Sequence, residues 1–188
     1  MKSKKIVLFL ILAVFIAGGV FAQESDVNSY APGLEDNNIF INAGIGFGRT
    51  YEYKMSIPPI SASVDVKLPI DLPITLGGTV IFTTWNWDVF TVKARLTAIG
   101  FGARGMYHLN LVENLDVYGG VLLGAWLLRS KVESNFLGSS YSDTETDLDF
   151  LWGINIGARY FFTDTIGAYV EVGYNDLQFV SVGLSLKF

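Results

Sequence analysis

The 188-residue chain contains no cysteine, and it has few charged residues for its length. Without cysteine the chain cannot form a disulfide framework, a thiolate-based zinc site or a lipid anchor attached through sulfur. Only 16% of the residues are charged, whereas an average soluble domain has roughly a quarter. A conventional water-exposed surface is therefore difficult to build from this composition.

The composition excludes two further classes of protein. The net charge of -5 disfavours a basic nucleic-acid-binding protein. The hydrophobic content of 51% is too high for a disordered chain. No partner nucleic acid is therefore expected, and the chain must bury or shield a large apolar surface.

Residues 1–22 have the layout of a secretory signal peptide. Three lysines lie among the first five residues, an apolar run extends from Ile6 to Ala17, and the small Ala22 ends the segment. We expect cleavage after Ala22, because this order of regions is typical of exported proteins. An uncleaved anchor is disfavoured because the run is shorter than the roughly 20 residues of a membrane span. The polar residues 23–37 are predicted to form a periplasmic linker.

From residue 38 onward, apolar residues alternate with small or polar ones. Every second residue from Val180 to Phe188 is apolar, whereas the intervening positions include Ser181, Ser185 and Lys187. A period of two indicates β-strands with one apolar face. The alternation predicts strands at about 38–48, 59–68, 74–84, 92–109, 115–130, 147–163, 166–174 and 178–188.

The predicted connections alternate between short and mostly longer segments, as expected of neighbouring strands in an up-and-down arrangement. Short turns are predicted at 69–73, 110–114 and 164–165, and the other connections at 49–58, 85–91, 131–146 and 175–177.

Two of the predicted strands lack a single apolar face. In 92–109, apolar residues occupy even positions up to Ala98 and odd positions from Ile99. A β-bulge near Thr97–Ile99 would explain this change of parity. In 115–128 both faces are apolar, so the sequence leaves the orientation of that strand open.

The apolar face of the predicted sheet is better suited to lipid than to a protein core. The alternate positions are mostly Gly, Ser, Thr and Asn, which fit the narrow interior of an eight-stranded barrel. Aromatic residues gather near strand ends, as in the girdles of membrane barrels, and they include Phe47, Phe82, Tyr107, Phe150, Trp152, Tyr160, Phe162 and Phe188. We therefore predict an all-β, eight-stranded antiparallel up-and-down transmembrane β-barrel over residues 38–188.

With its leader, eight strands, alternating connections and final Gly-Leu-Ser-Leu-Lys-Phe, the sequence resembles the small outer-membrane β-barrel proteins of double-membraned bacteria. These include the outer membrane protein A transmembrane domain and the Ail-like barrels. The resemblance covers residues 38–188. It implies localisation in the bacterial outer membrane, with periplasmic termini and longer loops that face outward.

The resemblance also implies two partners, outer-membrane lipid and the barrel assembly machinery. In that superfamily, the machinery reads a last strand that ends in an aromatic residue. On this chain the implied assembly signal is Leu184, Leu186 and Phe188.

The predicted inward face contains several charged residues. Arg159 and Glu171 lie on neighbouring predicted strands, close enough to form a diagonal pair. Because an unpaired buried charge is costly, we expect a structural salt-bridge network in preference to a selective pore lining. The predicted set is Asp65, Lys67, Arg104, Asp149, Arg159, Glu171 and Lys187.

The sequence contains no recognisable catalytic, metal-binding or cofactor-binding motif. His108 is the only histidine, and the residue two positions later is Asn110, where outer-membrane lipid A deacylases have serine. A single histidine without cysteine also disfavours a zinc site. We expect His108 to be a polar residue at a strand end near a periplasmic turn.

Two predicted outer loops contain candidate contact residues. The longest, 131–146, has Phe136, Leu137 and Tyr141 near its centre. Its composition fits two interpretations equally well: a loop that contacts an external molecule, and a solvated loop without a partner. In the shorter loop, Trp85 and Trp87 are predicted to anchor the protein at the membrane interface in preference to binding a ligand.

These observations favour a non-enzymatic outer-membrane protein that acts in surface interaction or envelope integrity through its outer loops. The main alternative is a narrow conduit or binding barrel for small, possibly hydrophobic, molecules, supported by the doubly apolar segment 115–128. A secreted lipocalin-like carrier and an outer-membrane enzyme are less favoured.

Overall fold

All eight predicted strands are present in the computed structural model, which describes residues 39–48, 54–89, 92–112, 114–136 and 139–188. The predicted signal peptide and the predicted linker lie outside these residues. The strands are β1 (Ile39–Phe47), β2 (Lys54–Lys67), β3 (Ile74–Val89), β4 (Val92–Val112), β5 (Leu115–Phe136), β6 (Ser139–Phe161), β7 (Ile166–Tyr174) and β8 (Val180–Lys187).

Each strand pairs antiparallel with its neighbours in sequence, and β1 pairs with β8 to close the ring. The ring is joined where Ile39 N donates to Phe188 O and Phe188 N donates to Ile39 O, both at 2.9 Å. The predicted eight-stranded up-and-down barrel is therefore confirmed. No helix in the described ranges is long and apolar enough to cross a membrane.

The outward face of the barrel is apolar along most of its height. Many of its large apolar side chains are exposed, among them Ile39 (38%) and Ile156 (69%). A continuous apolar band of this kind is stable in contact with lipid, whereas in water it would promote aggregation. Tyr160 and Phe162 contribute exposed rings at the end of the barrel that carries the short turns, here called the short-turn end.

β4 keeps one parity from Val92 to Asn110, so the predicted bulge near Thr97–Ile99 is wrong. Its pairs with β3 and β5 continue without a register shift across this region. The environment changes instead. Toward the short-turn end, the inward residue Arg104 is charged and buried, whereas beyond Ala98 the inward residues are apolar and the outward residues Lys93 and Arg95 are charged.

The same parity settles the orientation of β5, which the sequence left open. Tyr118 and Leu122 are buried inside the barrel, whereas Leu123 and Leu127 are exposed on the outside. Both faces of β5 are apolar because one side contacts lipid and the other fills the interior.

Several predicted outer loops are mostly strand. β2 begins at Lys54, β3 extends to Val89 before β4 begins at Val92, and β5 and β6 leave only residues 137–138 between them. The predicted loop 131–146 is therefore a β-hairpin. Its alternation was invisible in the sequence because a strand exposed to water on both faces needs no apolar side.

The barrel wall is much taller on one side than on the other. β6 pairs with β7 only as far as Ile154 and Tyr174, although β6 itself begins at Ser139. Beyond this level β3–β6 continue as a sheet, and we call its residues 86–89, 92–97, 129–136 and 139–149 the tall wall.

On the short side, the connection between β7 and β8 folds into the barrel. Asn175 Oδ1 accepts hydrogen bonds from the backbone N–H groups of Leu177 (2.9 Å) and Gln178 (2.8 Å). This turn places the Leu177 side chain, fully buried, in the interior.

Candidate functional site

A buried ion network connects distant strands inside the barrel. Arg104 Nε on β4 lies 3.0 Å from Asp65 Oδ1 on β2, and Arg104 Nη2 lies 2.5 Å from Glu171 Oε1 on β7. Asn42 Nδ2 on β1 donates to Asp65 Oδ2 at 3.1 Å and to Ser63 Oγ at 2.9 Å. Each charge thus has an opposite charge in contact, as burial at this depth requires.

A second buried cluster lies nearer the short-turn end. His108 Nδ1 is 2.8 Å from Asp116 Oδ1, and His108 Nε2 is 2.9 Å from Thr75 Oγ1. Arg159 Nη1 lies 3.6 Å from Asp116 Oδ2. His108 lies near the end of β4, as predicted, but no sequence pattern indicates these partners.

The Arg159 guanidinium is held between two aromatic rings. Its Cζ atom lies 4.3 Å from the Phe40 ring centroid and 4.8 Å from the Tyr118 ring centroid. Cation–π contacts strengthen when the cation is removed from water, and Arg159 is fully buried.

Thr75, His108 and Asp116 follow the hydroxyl–imidazole–carboxylate order of a hydrolase triad. A triad needs a space of about 3 Å beside the nucleophile in which the reacting atom can sit. Thr75 is fully buried and His108 is 2% exposed, so a substrate carbonyl does not reach the hydroxyl. The arrangement therefore fits a structural hydrogen-bond chain. Among the described residues, no group of metal-ligating side chains is close enough to hold an ion.

Lys67 and Lys187 point inward, as predicted, but neither joins the ion network. Lys67 Nζ donates to the backbone oxygens of Leu68 (2.7 Å) and Ile70 (2.8 Å). Lys187 Nζ lies 5.2 Å from the Phe161 ring centroid. Both lysines therefore satisfy local groups at the short-turn end.

Two details of the predicted network are wrong. Arg159 and Glu171 are diagonal neighbours, since β6 and β7 place Arg159 opposite Tyr169 and Glu171 opposite Gly157, but they do not form an ion pair with each other. Glu171 instead reaches across the barrel to Arg104.

Asp149 lies on the inward face of β6, as predicted, but it does not belong to the interior network. It is exposed, because it lies on the part of β6 that extends beyond β7. Its Oδ1 accepts a hydrogen bond from the backbone N–H of Phe150 at 2.7 Å, so Asp149 covers a strand-edge donor and takes no part in the interior network.

An apolar cluster fills the interior between the ion network and the tall wall. We call it the apolar plug, and its buried members are Ile81, Trp85, Ala98, Leu122, Leu151 and Leu177. Met55, Leu96, Trp126 and Leu128 pack against it. Leu177 arrives from the inward turn between β7 and β8, which the alternation pattern could not predict.

Between the apolar plug and the ion network there is a cavity of about 10 Å³. This volume corresponds to about one water molecule. Ser61, Ser63, Asn155, Tyr169 and Gln178 are among the residues that line it.

The tall wall has an acidic inward face and an outward face on which basic residues outnumber acidic ones. On its inward face β6 carries Asp143, Glu145, Asp147 and Asp149 at alternate positions. On its outward face β4 and β5 carry Lys93, Arg95, Arg129 and Lys131, while β3 and β5 add the acidic Asp88 and Glu133.

Of the predicted outer contacts, Trp87 is 38% exposed. Trp85 is fully buried in the apolar plug, so its predicted place at the membrane interface is wrong. The side chains of Phe136, Leu137 and Tyr141 lie outside the described residues.

Several buried interior residues were not among the predicted site residues, chiefly Asn42, Thr75, Asp116 and Tyr118. Asp116 and Tyr118 share the even parity of Leu122. Their parity identifies them as interior residues only when the inward face of β5 is known. Thr75 and Asn42 resemble the many other small polar residues of the inward face and carry no distinguishing signal.

The chain matches a known protein family. A family model described as "Outer membrane protein beta-barrel domain" matches residues 8–188. No curated protein sequence matches the chain.

Similar solved structures include Ail, the attachment invasion locus protein of Yersinia pestis (18% identity, 82% of this chain and 100% of that chain covered, TM-score 0.51). Ail has also been crystallised with the heparin analogue sucrose octasulfate (18% identity, 82% and 100% covered, TM-score 0.50). Neisserial surface protein A gives 16% identity, 80% and 96% coverage and a TM-score of 0.47. At these identities the similarity concerns the fold alone.

Proposed function

Because this chain belongs to the outer membrane protein beta-barrel domain family, we propose that it is a non-enzymatic outer-membrane protein whose tall wall contacts molecules at the cell surface or supports envelope integrity. The protein itself is an integral component of the bacterial outer membrane, as its family and its apolar outward face require. The proposal concerns what the part beyond the membrane does.

We infer that the short-turn end faces the periplasm and the tall wall faces outward. β1 begins and β8 ends at the same edge of the ring, and the short turns lie at that edge too. Membrane barrels of this type place short turns on the periplasmic side and long extensions outside.

The observation that carries the proposal is the height of the tall wall. The ring is already closed below it, so these extra strand residues are not needed to complete the barrel. Every residue from Ser142 to Phe150 is exposed. Binding residues commonly lie on extensions held by a rigid scaffold, and a four-stranded sheet holds such a surface more rigidly than a loop.

The alternative of a conduit has weaker support. The inward apolar residues of β5 that favoured it form part of the apolar plug together with Leu151 and Leu177. Beneath the plug, the cavity has room for about one water molecule. A small solute would have to displace both the plug and the ion network.

We also propose that Leu184, Leu186 and Phe188 serve as the signal for the barrel assembly machinery. Leu184 is 61% exposed and Phe188 is 62% exposed, on the outward face at the β1–β8 closure. An apolar stripe at this position is accessible to a protein that guides the last strand.

The test of the surface role is a shortened β5–β6 hairpin. Val132 and Asp143 are paired in register, so residues 133–142 can be replaced by Asn-Gly, which favours a two-residue hairpin turn. Cells that produce this variant are compared with wild type for adhesion to cultured epithelial monolayers, autoaggregation and sensitivity to detergent. We expect at least one of these phenotypes to be lost while heat-modifiable gel migration still reports a folded barrel.

The control is a Gly-Ser-Thr segment of the original length in place of residues 133–142. It separates the height of the wall from the chemistry of the residues removed. If both variants fold and behave like wild type in all three assays, the proposed role of the tall wall is incorrect.

A further inference from the structure

Exposed cationic side chains are concentrated in one sector of the barrel. Among the side chains that the structure describes, the other Lys and Arg residues are Lys67, Arg104, Arg159 and Lys187, and all of them point inward. The exposed ones all lie on the outward face of the tall wall. We call them the basic patch, and they are Lys93, Arg95, Arg129 and Lys131.

The strand register places like charges next to each other in the basic patch. Arg95 on β4 lies directly opposite Lys131 on β5, and Arg129 is the next outward residue along β5. Like charges opposite one another across a strand pair are destabilising. In a protein with a net charge of -5, nothing in the closure or packing of the barrel requires this arrangement.

The protein neutralises the basic patch only in part. Lys131 Nζ lies 2.5 Å from Glu133 Oε1, and Lys93 lies in register between Asp88 on β3 and the same Glu133 on β5. Arg95 Nε donates to Asn86 Oδ1 at 3.3 Å, which supplies no negative charge. Arg129 forms no ion pair with any residue that the structure describes.

The depth of the basic patch relative to the membrane points to the source of the missing negative charge. Ile99, Leu127 and Leu148 form one outward row of exposed apolar side chains. The next outward row is Thr97, Arg129 and Thr146. Two residues along a strand span about 7 Å, so Arg129 lies about 7 Å beyond the last apolar row. We infer that this is the level of the lipid headgroups.

We propose that the basic patch binds phosphate groups carried by lipids of the outer leaflet, on the outer wall of β4 and β5. The planar guanidinium of arginine can donate two parallel hydrogen bonds to phosphate oxygens, and the lysine ammonium adds a compact positive charge. The aliphatic stems of Arg95 and Arg129 can lie along the apolar row while their charged ends reach the headgroups.

A lipid is favoured over a soluble anion because of the direction in which the patch faces. Its side chains point away from the barrel interior, on the face that continues the apolar band. The opposite face of the same wall carries the acidic residues of β6, which repel an anion approaching from that side. This inference rests on the outward orientation of the tall wall and not on its proposed role in surface contact.

The experiment measures binding of a phosphorylated outer-leaflet glycolipid to the full-length folded protein in neutral detergent micelles. The same glycolipid after removal of its phosphates is the parallel ligand, and a soluble sulfated polysaccharide is the third. The test variant is Arg95→Gln/Arg129→Gln. Because charge-assisted hydrogen bonds to phosphate are stronger than neutral ones but are weakened at an exposed surface, we expect the two substitutions together to weaken binding about tenfold.

The matched control is Glu145→Gln/Asp147→Asn, which changes charge on the other face of the same hairpin. At about 0.15 M salt the screening length is roughly 8 Å, so we expect this control to bind the phosphorylated glycolipid as wild type does. A control that strengthened binding as much as the test variant weakened it would indicate a net-charge effect and overturn the proposal.

A further variant keeps the test decisive if the double variant does not fold. Glu133→Gln removes the carboxylate next to Lys131, and we expect it to strengthen binding of the phosphorylated glycolipid about threefold. Equal binding of the phosphorylated and dephosphorylated glycolipids by wild type would overturn the proposal. Binding of the soluble polysaccharide but not of the phosphorylated glycolipid would assign the basic patch to a soluble polyanion instead.

Discussion

The guanidinium of Arg104 on β4 meets the carboxylate of Glu171 on β7 across the inside of the barrel, with Nη2 2.5 Å from Oε1. These two strands are not neighbours in the ring, so the contact is an internal tie between separate parts of the wall. Asp65, on a third strand (β2), also contacts this guanidinium. Arg104 therefore fixes the positions of strands that no shared backbone hydrogen bonds connect.

Replacing Arg104 with Met should strongly destabilise the barrel. The substitution leaves Asp65 and Glu171 buried without their cation, and breaking a buried ion pair in this way costs about 3–5 kcal/mol. Urea unfolding in detergent micelles, followed by tryptophan fluorescence, measures the change. The triple variant Arg104→Met/Asp65→Asn/Glu171→Gln removes all three charges and should recover most of that loss. If Arg104→Met alone has wild-type stability, the network does not hold the barrel together.

Reproducible ion channels are not expected from the wild-type protein in planar bilayers, because the apolar plug and the ion network both fill the interior. Leu151→Ala should destabilise the protein by about 2–5 kcal/mol, the usual cost of emptying a packed core site, and should still not open a channel. Val172→Ala, at an exposed outward position on β7, is the comparison. Steady conductance from folded wild-type protein would contradict this account of the interior.

Gly44 should not tolerate alanine. A Cβ atom at this position would lie 2.5 Å from the backbone oxygen of Val182 and in contact with the Tyr169 hydroxyl. Overpacking of this kind costs about 1–3 kcal/mol, measurable as a lower urea midpoint. Gly105→Ala is the matched control, since nothing lies within 4 Å of its Cβ position. Equal effects at the two sites would show that close packing between β1 and β8 is not limiting.

Phe188→Ser should reduce the amount of protein assembled in the outer membrane more than it reduces the stability of protein refolded in detergent. The Phe188 ring is 62% exposed, so it contributes little to internal packing, whereas its backbone bonds to Ile39 are kept in the variant. Quantifying the heat-modifiable form in outer-membrane fractions, beside refolding yield in vitro, separates the two effects. Proportional losses in both would argue against an assembly signal.

The alternation of apolar residues was sufficient to predict the eight strands and the face they turn to lipid. It worked for segments such as β8 because lipid requires an apolar residue at every outward position within the membrane. It failed where the environment changes along one strand. At Ala98 and Ile99 the apolar residues move from the inside to the outside of β4 while the backbone continues without a bulge, and parity alone cannot distinguish these events.

The pairing of interior charges could be predicted only as a tendency. Sequence separation suggested that Arg159 would meet Glu171, because both lie near one turn. In the closed barrel, contacts across the interior compete with contacts along the sheet, and Arg104 reaches Glu171 from the opposite wall. The inward turn that buries Leu177 depends on the Asn175 side chain, which the strand pattern does not reveal.

The closure between β1 and β8 has a consequence for the order of folding. Each of the other pairings joins consecutive strands and can form soon after both strands are available. This one joins β1 and β8, the two strands that are furthest apart along the chain. Contacts of long sequence separation form slowly because of their loop-closure entropy, and an unpaired strand edge readily associates with other chains. Before β1 and β8 pair, the sheet therefore has two unpaired edges that can associate with other chains. The longer that state lasts, the greater the chance that a newly exported chain associates with another chain before it closes on itself.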